Sequence, residues 1–305
     1  MSKRTLHTFH TLPFATLLTM KIPKFWSRAT AETTTPRGGP VRFSCWRSSD
    51  TSEAVAHQSA LAAARRILDA FLRGKRLDRY EYGCVPLREE VLNQVTHDDG
   101  RVLAVVTRNG YGSAVLNTER VMFVDIDFAD SANGAKSVFK GLFSRKQKSP
   151  EEEKEERARA AVDQFIAHNP SWGMRLYRTF AGLRAIVTHD VMDPQSTAVL
   201  DVLKQLGSDP LYIKLCKAQE CFRARLTPKP WRCGCIPNPL RHPITDQKLL
   251  HWHERWKEDY EARQTRFATC RLMGELGHPF VHPEVLRIVE LHDCATRASE
   301  ALPLA

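Results

Sequence analysis

The sequence predicts an α+β protein, and three observations carry that reading. Short β-prone runs alternate with stretches of helical period through residues 25–232, the central runs follow the order βαββαβ, and the chain beyond Trp231 turns Pro-rich and then amphipathic. The βαββαβ order is the split-βαβ arrangement of a ferredoxin-like (RRM-like) core. An N-terminal ββα module precedes it and C-terminal helices follow.

Composition bounds the function classes. The 305 residues are 42% hydrophobic and 26% charged, far from compositions that stay unfolded. No apolar run approaches the roughly 18 residues that cross a bilayer. The longest candidate, Leu12 to Met20, is broken by Pro13 and two threonines. A membrane partner is therefore not expected. Forty-five Lys+Arg against 35 Asp+Glu leave a net charge of +10, which favours polyanionic partners. The eight cysteines show no regular framework spacing, so reduced thiols and a cytoplasmic location are expected.

Residues 1–31 carry no acidic side chain, and residues 1–24 read as a poorly ordered extension. The interrupted apolar centre and the lack of a small-residue cleavage site argue against a secretion signal. Two β-prone stretches, 25–35 and 41–49, flank the turn composition PRGGP and predict a hairpin. Ser49 to Glu53 offer capping residues for an Ala-rich helix that ends near Arg73-Gly74. After Pro86, residues 87–95 read as a short helix, followed by a strand pair, 102–107 and 113–117, around Asn109 to Gly112. The hairpin and the two helices make residues 25–99 an N-terminal α/β module.

Residues 100–232 hold the core. It comprises strands at 121–128, 174–180, 183–189 and 221–226, with helices at 151–168 and 194–206. Between the first strand and its helix, residues 133–150 carry five positive charges and no negative one, the composition of a solvated loop. The acidic start of the following helix suits its dipole. Residues 233–305 form a Pro-rich connector, a helix from 246 to about 277 and a last helix from 283 to about 301. Within the first of these, Trp252, Trp256, Tyr260 and Phe267 share one face and read as core.

Strand parity sorts the candidate functional residues. In 121–128 the even positions are apolar, whereas Asp125 and Asp127 share the other face, with Cα atoms about 6.5–7 Å apart. The same sorting sets Arg175 and Tyr177, Arg184, and the pair Arg223 and Arg225 opposite the apolar sets of their strands. A ferredoxin-like sheet has both helices on one face, so these acids and arginines are expected on an open one. Two carboxylates about 5 Å apart repel by about 3 kcal/mol at an effective dielectric of about 20, and a neutralising group is required. A neighbouring Arg, a shared proton or a divalent ion would serve. Mg²⁺ or Mn²⁺ suits carboxylate ligands and is readily shared with substrate phosphates, which guanidinium forks also grip. Zinc is not expected, because Cys233 and Cys235 are closer in sequence than structural zinc ligands usually are.

This layout resembles the archaeo-eukaryotic primase (primase-polymerase) superfamily over residues 100–232. VMFVDIDF resembles that family's h-D-h-D/E strand, YRTFAGLRAIVTH its Ser-Gly-x-Gly-x-His strand, LGSDPLYIKLC its third acidic element and RARLTPKP a basic Pro-containing segment. Arg184 stands where the aligned histidine is expected, with His189 five residues later. The resemblance implies a metal-dependent nucleotidyltransferase that acts on nucleoside triphosphates and a nucleic-acid template, as in DNA replication. It implies that Asp125 and Asp127 hold Mg²⁺ or Mn²⁺, that His189 and Asp209 assist, and that Arg175, Arg184, Arg223, Arg225 and Lys229 contact nucleotide phosphates. The alternatives are a non-catalytic nucleic-acid or nucleotide-binding protein on the same scaffold, and a protein-interaction module.

Overall fold

A computed structural model describes residues 20–35, 38–75, 86–128 and 149–305. The extension up to residue 19, the tip of the PRGGP turn at Pro36 and Arg37, Cys84 and most of the basic loop (residues 129–148) lie outside the described residues. The chain is mixed α+β: among the described residues are six α-helices and three small antiparallel sheets.

Strands β1 (Phe25–Thr34) and β2 (Pro40–Ser49) pair as the expected hairpin, and helix α1 (Glu53–Leu72) packs on one side of it. Ser52 caps α1 by accepting from the Val55 amide. Ala63 and Ala64 are small enough to bring the helix against Ala31 and Cys45, which closes a satellite core.

The second sheet has the order β3-β4-β5-β9, from Glu90–Thr96, Val102–Arg108, Ala114–Thr118 and Phe222–Arg225. Residues 87–95, expected as a helix, instead supply β3. Val91 and Val95 suit a strand, and Val91 pairs opposite Thr107 and Val95 opposite Ala104. Cross-strand pairing therefore overrides the helix-start signal of Pro86.

The third sheet has the order β10-β7-β8-β6, from Cys270–Gly277, Gly173–Thr179, Gly182–Val187 and Phe123–Asp127. Helix α2 (Pro150–His168) leads from β6 to β7 behind a capping box of Ser149 and Glu152. Helices α3 (Thr197–Gln205) and α4 (Pro210–Gln219) lead from β8 to β9. Strand β8 lies between β6 and β7, as a split βαβ unit requires. The fourth strand departs from the ferredoxin-like order: β9 lies beside β6 yet pairs with β5, Val115 opposite Arg225 and Thr118 opposite Phe222. The two sheets thus abut at β6 and β9.

The free edge of β7 is covered by β10, which the sequence reading placed inside a long helix. Helix α5 (Gln247–Gln264) stops after Tyr260, and the chain re-enters the sheet with Cys270 opposite Thr179. Trp256 and Tyr260 do form a helix face packed on Cys233 and Cys235, whereas Phe267 joins that cluster from the turn after the helix. Helix α6 (Pro283–Thr296) ends where Arg297 adopts a left-handed conformation, φ 58°. One core runs through both larger sheets and includes Leu116, Phe123, Leu176, Ala185, Leu203, Phe222 and Ile288.

Gly182 sits opposite Asp127, and a Cβ there would lie 2.1 Å from the Ile126 carbonyl oxygen. Gly182→Ala should therefore force β6 and β8 apart at the Asp127 end and cost about 1–3 kcal/mol in denaturant unfolding.

Candidate functional site

Asp125 on β6 faces Arg184 on β8, its direct cross-strand neighbour. Arg184 Nε donates to Asp125 Oδ1 at 2.7 Å and Nη2 to Oδ2 at 3.1 Å, a two-pronged pair. The remaining nitrogen, Nη1, donates to the Arg225 carbonyl oxygen at 2.8 Å. The Arg184 side chain is 2% exposed and that of Asp125 33%. Burial disfavours the Arg184 charge, yet Asp125 holds it above the ordinary arginine range. Arg184 is thus the counter-ion of Asp125, buried too deep to meet a ligand.

Helix α6 covers this face, which corrects the expectation of an open sheet surface. His292 lies 3.4 Å from Arg184 Nη1 through Nε2 and 2.9 Å from Asp293 Oδ1 through Nδ1. Burial pushes the His292 pKa down to about 4, so near neutral pH the ring is uncharged beside the guanidinium. Asp293 also accepts from the Tyr177 hydroxyl at 2.7 Å and from Arg175 Nη2 at 2.8 Å, and Arg175 forms a second ion pair with Glu275. The polar face is therefore one continuous network under α6, and Arg175 is spent within it.

Two further expectations are corrected. Arg223 shares a strand face with Arg225, but β9 belongs to the neighbouring sheet. There Arg223 Nη2 donates to both Glu89 oxygens at 2.9 Å, buried, and its charge is answered by Glu89. His189 lies beyond the end of β8 remote from Asp127. Gly182 faces Asp127, and seven residues of chain separate it from His189, about 23 Å at strand rise. The His189 ring accepts from the Gly173 amide at 3.2 Å and packs on Trp172 at 4.7 Å, a structural role.

Among the described residues, what remains open is the Asp127 end. Asp127 is exposed, and its carboxyl pKa is raised by partial burial, then by Asp125 and Asp209. Asp209 caps α4 through the Leu211 amide at 2.9 Å, and its charge still reaches Asp127. Opposite these acids, the chain after β9 delivers Lys229 and then Arg232 from a short 3-10 turn, Pro230–Arg232. The pKa of Lys229 is lowered by burial, then by Arg225 and Arg232. Arg232 is likewise lowered by burial and by Arg225, and Arg225 by burial and by Arg184. Among the described residues none of these three cations forms an ion pair with a carboxylate; Arg225 donates to the Thr227 carbonyl at 3.2 Å. Attraction to Asp127 offsets only part of the strain on Lys229 and Arg232.

The site thus unites Asp127, Asp209, Arg225 and Lys229 of the expected set and adds Arg232. The sequence reading missed Arg232, although RARLTPKPWR places it three residues after Lys229. Among the described residues no group of three or more His, Cys, Asp or Glu side chains is placed to hold a metal ion. Asp125 already spends both oxygens on Arg184, so a divalent ion at Asp127 would draw most of its ligands from phosphate and water.

A scan against protein-family models finds no match, and searches of curated proteins and of solved structures find none either.

The two sets of cations should separate on mutation. Arg184→Ala leaves the Asp125 carboxylate and the Arg225 carbonyl without their partner and should cost about 3–5 kcal/mol in denaturant unfolding. Lys229→Ala and Arg232→Ala each relieve repulsion and should leave stability within about 0.5 kcal/mol of the parent or raise it.

Proposed function

We propose that the cleft beside Asp127 binds the phosphate chain of a nucleotide. One observation supports this reading above others: Arg225, Lys229 and Arg232 are held together against repulsion with too little carboxylate among the described residues to neutralise them. A fold tolerates such an arrangement where a ligand supplies the missing negative charge. The guanidiniums offer planar forks to phosphate oxygens and Lys229 a point charge, the usual division of labour in phosphate recognition. Arg184 fixes the Arg225 backbone through its carbonyl, so the base of the cluster is anchored.

ATP titrated into the full chain should bind in calorimetry with an affinity that falls as salt rises. Lys229→Ala with Arg232→Ala should weaken it at least tenfold without loss of fold. Unchanged affinity in that variant would remove the assignment.

A second reading, metal-dependent nucleotidyl transfer of the primase-polymerase type, is favoured by the acid cluster. Asp125 and Asp209 raise the pKa of Asp127, and a divalent ion carried in with the phosphate chain would relieve that repulsion. When bound, Mg²⁺ or Mn²⁺ would supply charge neutralisation at the phosphates, with Asp127 and the outer side of Asp125 as its protein ligands. Arg184 would then hold the Asp125 side chain in place. This reading gives His189, Arg175 and Arg223 no part in the chemistry. It predicts Mn²⁺-dependent incorporation of labelled nucleotide on a single-stranded template, abolished by Asp127→Asn and undiminished by His189→Ala. Incorporation that survives Asp127→Asn would contradict it.

A further inference from the structure

Two large aromatic side chains stand open beside the cation cluster. Phe180 is 50% exposed and Trp231 49%. Each carries a cation of the cluster or its rim: the Arg232 guanidinium lies 4.0 Å over the Phe180 ring, and the Lys229 ammonium lies 5.5 Å from the Trp231 centroid. Trp231 is braced edge-on by Tyr111, ring centroids 5.3 Å apart. The residues that meet phosphate in the reading above are thus flanked by aromatic rings.

Local structure does not demand these rings. Thr179 pairs with Gly182, so Phe180 and Ala181 form the two-residue loop between β7 and β8. Such loops favour Asn, Asp and Gly, which meet the turn geometry readily. Trp231 occupies the middle of a three-residue 3-10 turn, flanked by Pro230 and Arg232 and outside every described core cluster. A single exposed apolar residue needs no explanation. Two exposed rings, each against a cation of one cluster, do, since a planar group stacked on either would gain both dispersion and contact with the neighbouring charge.

We infer that Phe180 and Trp231 are the base-stacking residues of the site, and that its ligand is a free nucleoside triphosphate rather than an inorganic polyphosphate. The inference rests on the phosphate reading of Arg225, Lys229 and Arg232. Stacking accepts any base through its π-face, so the four common ribonucleoside triphosphates should bind with similar affinities, purines somewhat better.

Parallel calorimetric titrations of the full chain with ATP and with tripolyphosphate test this. The parent should bind ATP at least tenfold more tightly than tripolyphosphate, although the latter has no smaller charge. In Phe180→Ala with Trp231→Ala that advantage should disappear while tripolyphosphate affinity stays unchanged. Phe180→Leu with Trp231→Leu, which keeps apolar bulk and removes the π-faces, should behave the same way and guards against an effect of lost packing. Equal affinities of the parent for the two ligands, or an ATP advantage that survives both double variants, would overturn the stacking assignment and leave the phosphate reading intact. Binding of neither ligand by the parent would overturn both.

Discussion

The guanidinium of Arg184 is the interaction on which the rest of the structure depends. It closes a two-pronged pair on Asp125, donates to the backbone of β9 at Arg225 and meets His292 of α6. One side chain thereby joins three elements: the strand with the acid pair, the edge strand of the neighbouring sheet across the gap where β6 and β9 fail to pair, and helix α6. A buried guanidinium is tolerated only when its donors are satisfied, and each partner here answers a specific nitrogen.

That constraint divides the charged residues into two populations. Arg175, Arg184 and Arg223 have carboxylate partners within 3 Å and stabilise the fold; their charges are already answered. Arg225, Lys229 and Arg232 have none among the described residues; burial lowers the proton affinity of all three, Arg184 adds to this at Arg225, Arg225 at Arg232, and Arg225 with Arg232 at Lys229. Asp127 mirrors them on the acidic side, its pKa raised by partial burial and then by its fellow aspartates. Opposed and incompletely neutralised clusters are expensive within a fold, and their survival at an open end of the sheet is why the functional reading is placed there and not along the seam under α6.

Much of the fold was legible because the signals are local. The β-prone run of Phe25–Thr34, the alternation in Phe123–Asp127, the Ala-rich run of Glu53–Leu72 and the acidic start of Pro150–His168 each point to one conformation. Residues 87–95 misled because Pro86 is a fair helix-start signal, and only the pairing of Val91 and Val95 with β4 shows otherwise. Residues 246–277 misled because β10 is specified by the vacant edge of β7, which lies nearly a hundred residues earlier in the chain. The site was legible to a similar depth. Parity correctly placed Asp125, Asp127 and Arg184 on one face, since alternation depends on the strand alone. His189 was a candidate through the resemblance alone, and the antiparallel register of β6 and β8 sets it at the end remote from Asp127. Nor does it reveal long-range partners: Glu89, which occupies Arg223, and Asp293, which occupies Arg175, are each more than a hundred residues away from the arginine they hold.

Titration of the Lys229 ammonium by NMR, in the absence and presence of tripolyphosphate, addresses the central claim most directly. If the cluster is a set of cations waiting for an anion, Lys229 should titrate below the ordinary lysine value when the protein is free and move upward when the polyanion binds. A Lys229 that titrates as an ordinary lysine in the free protein, or one that polyphosphate leaves unmoved, would contradict the account.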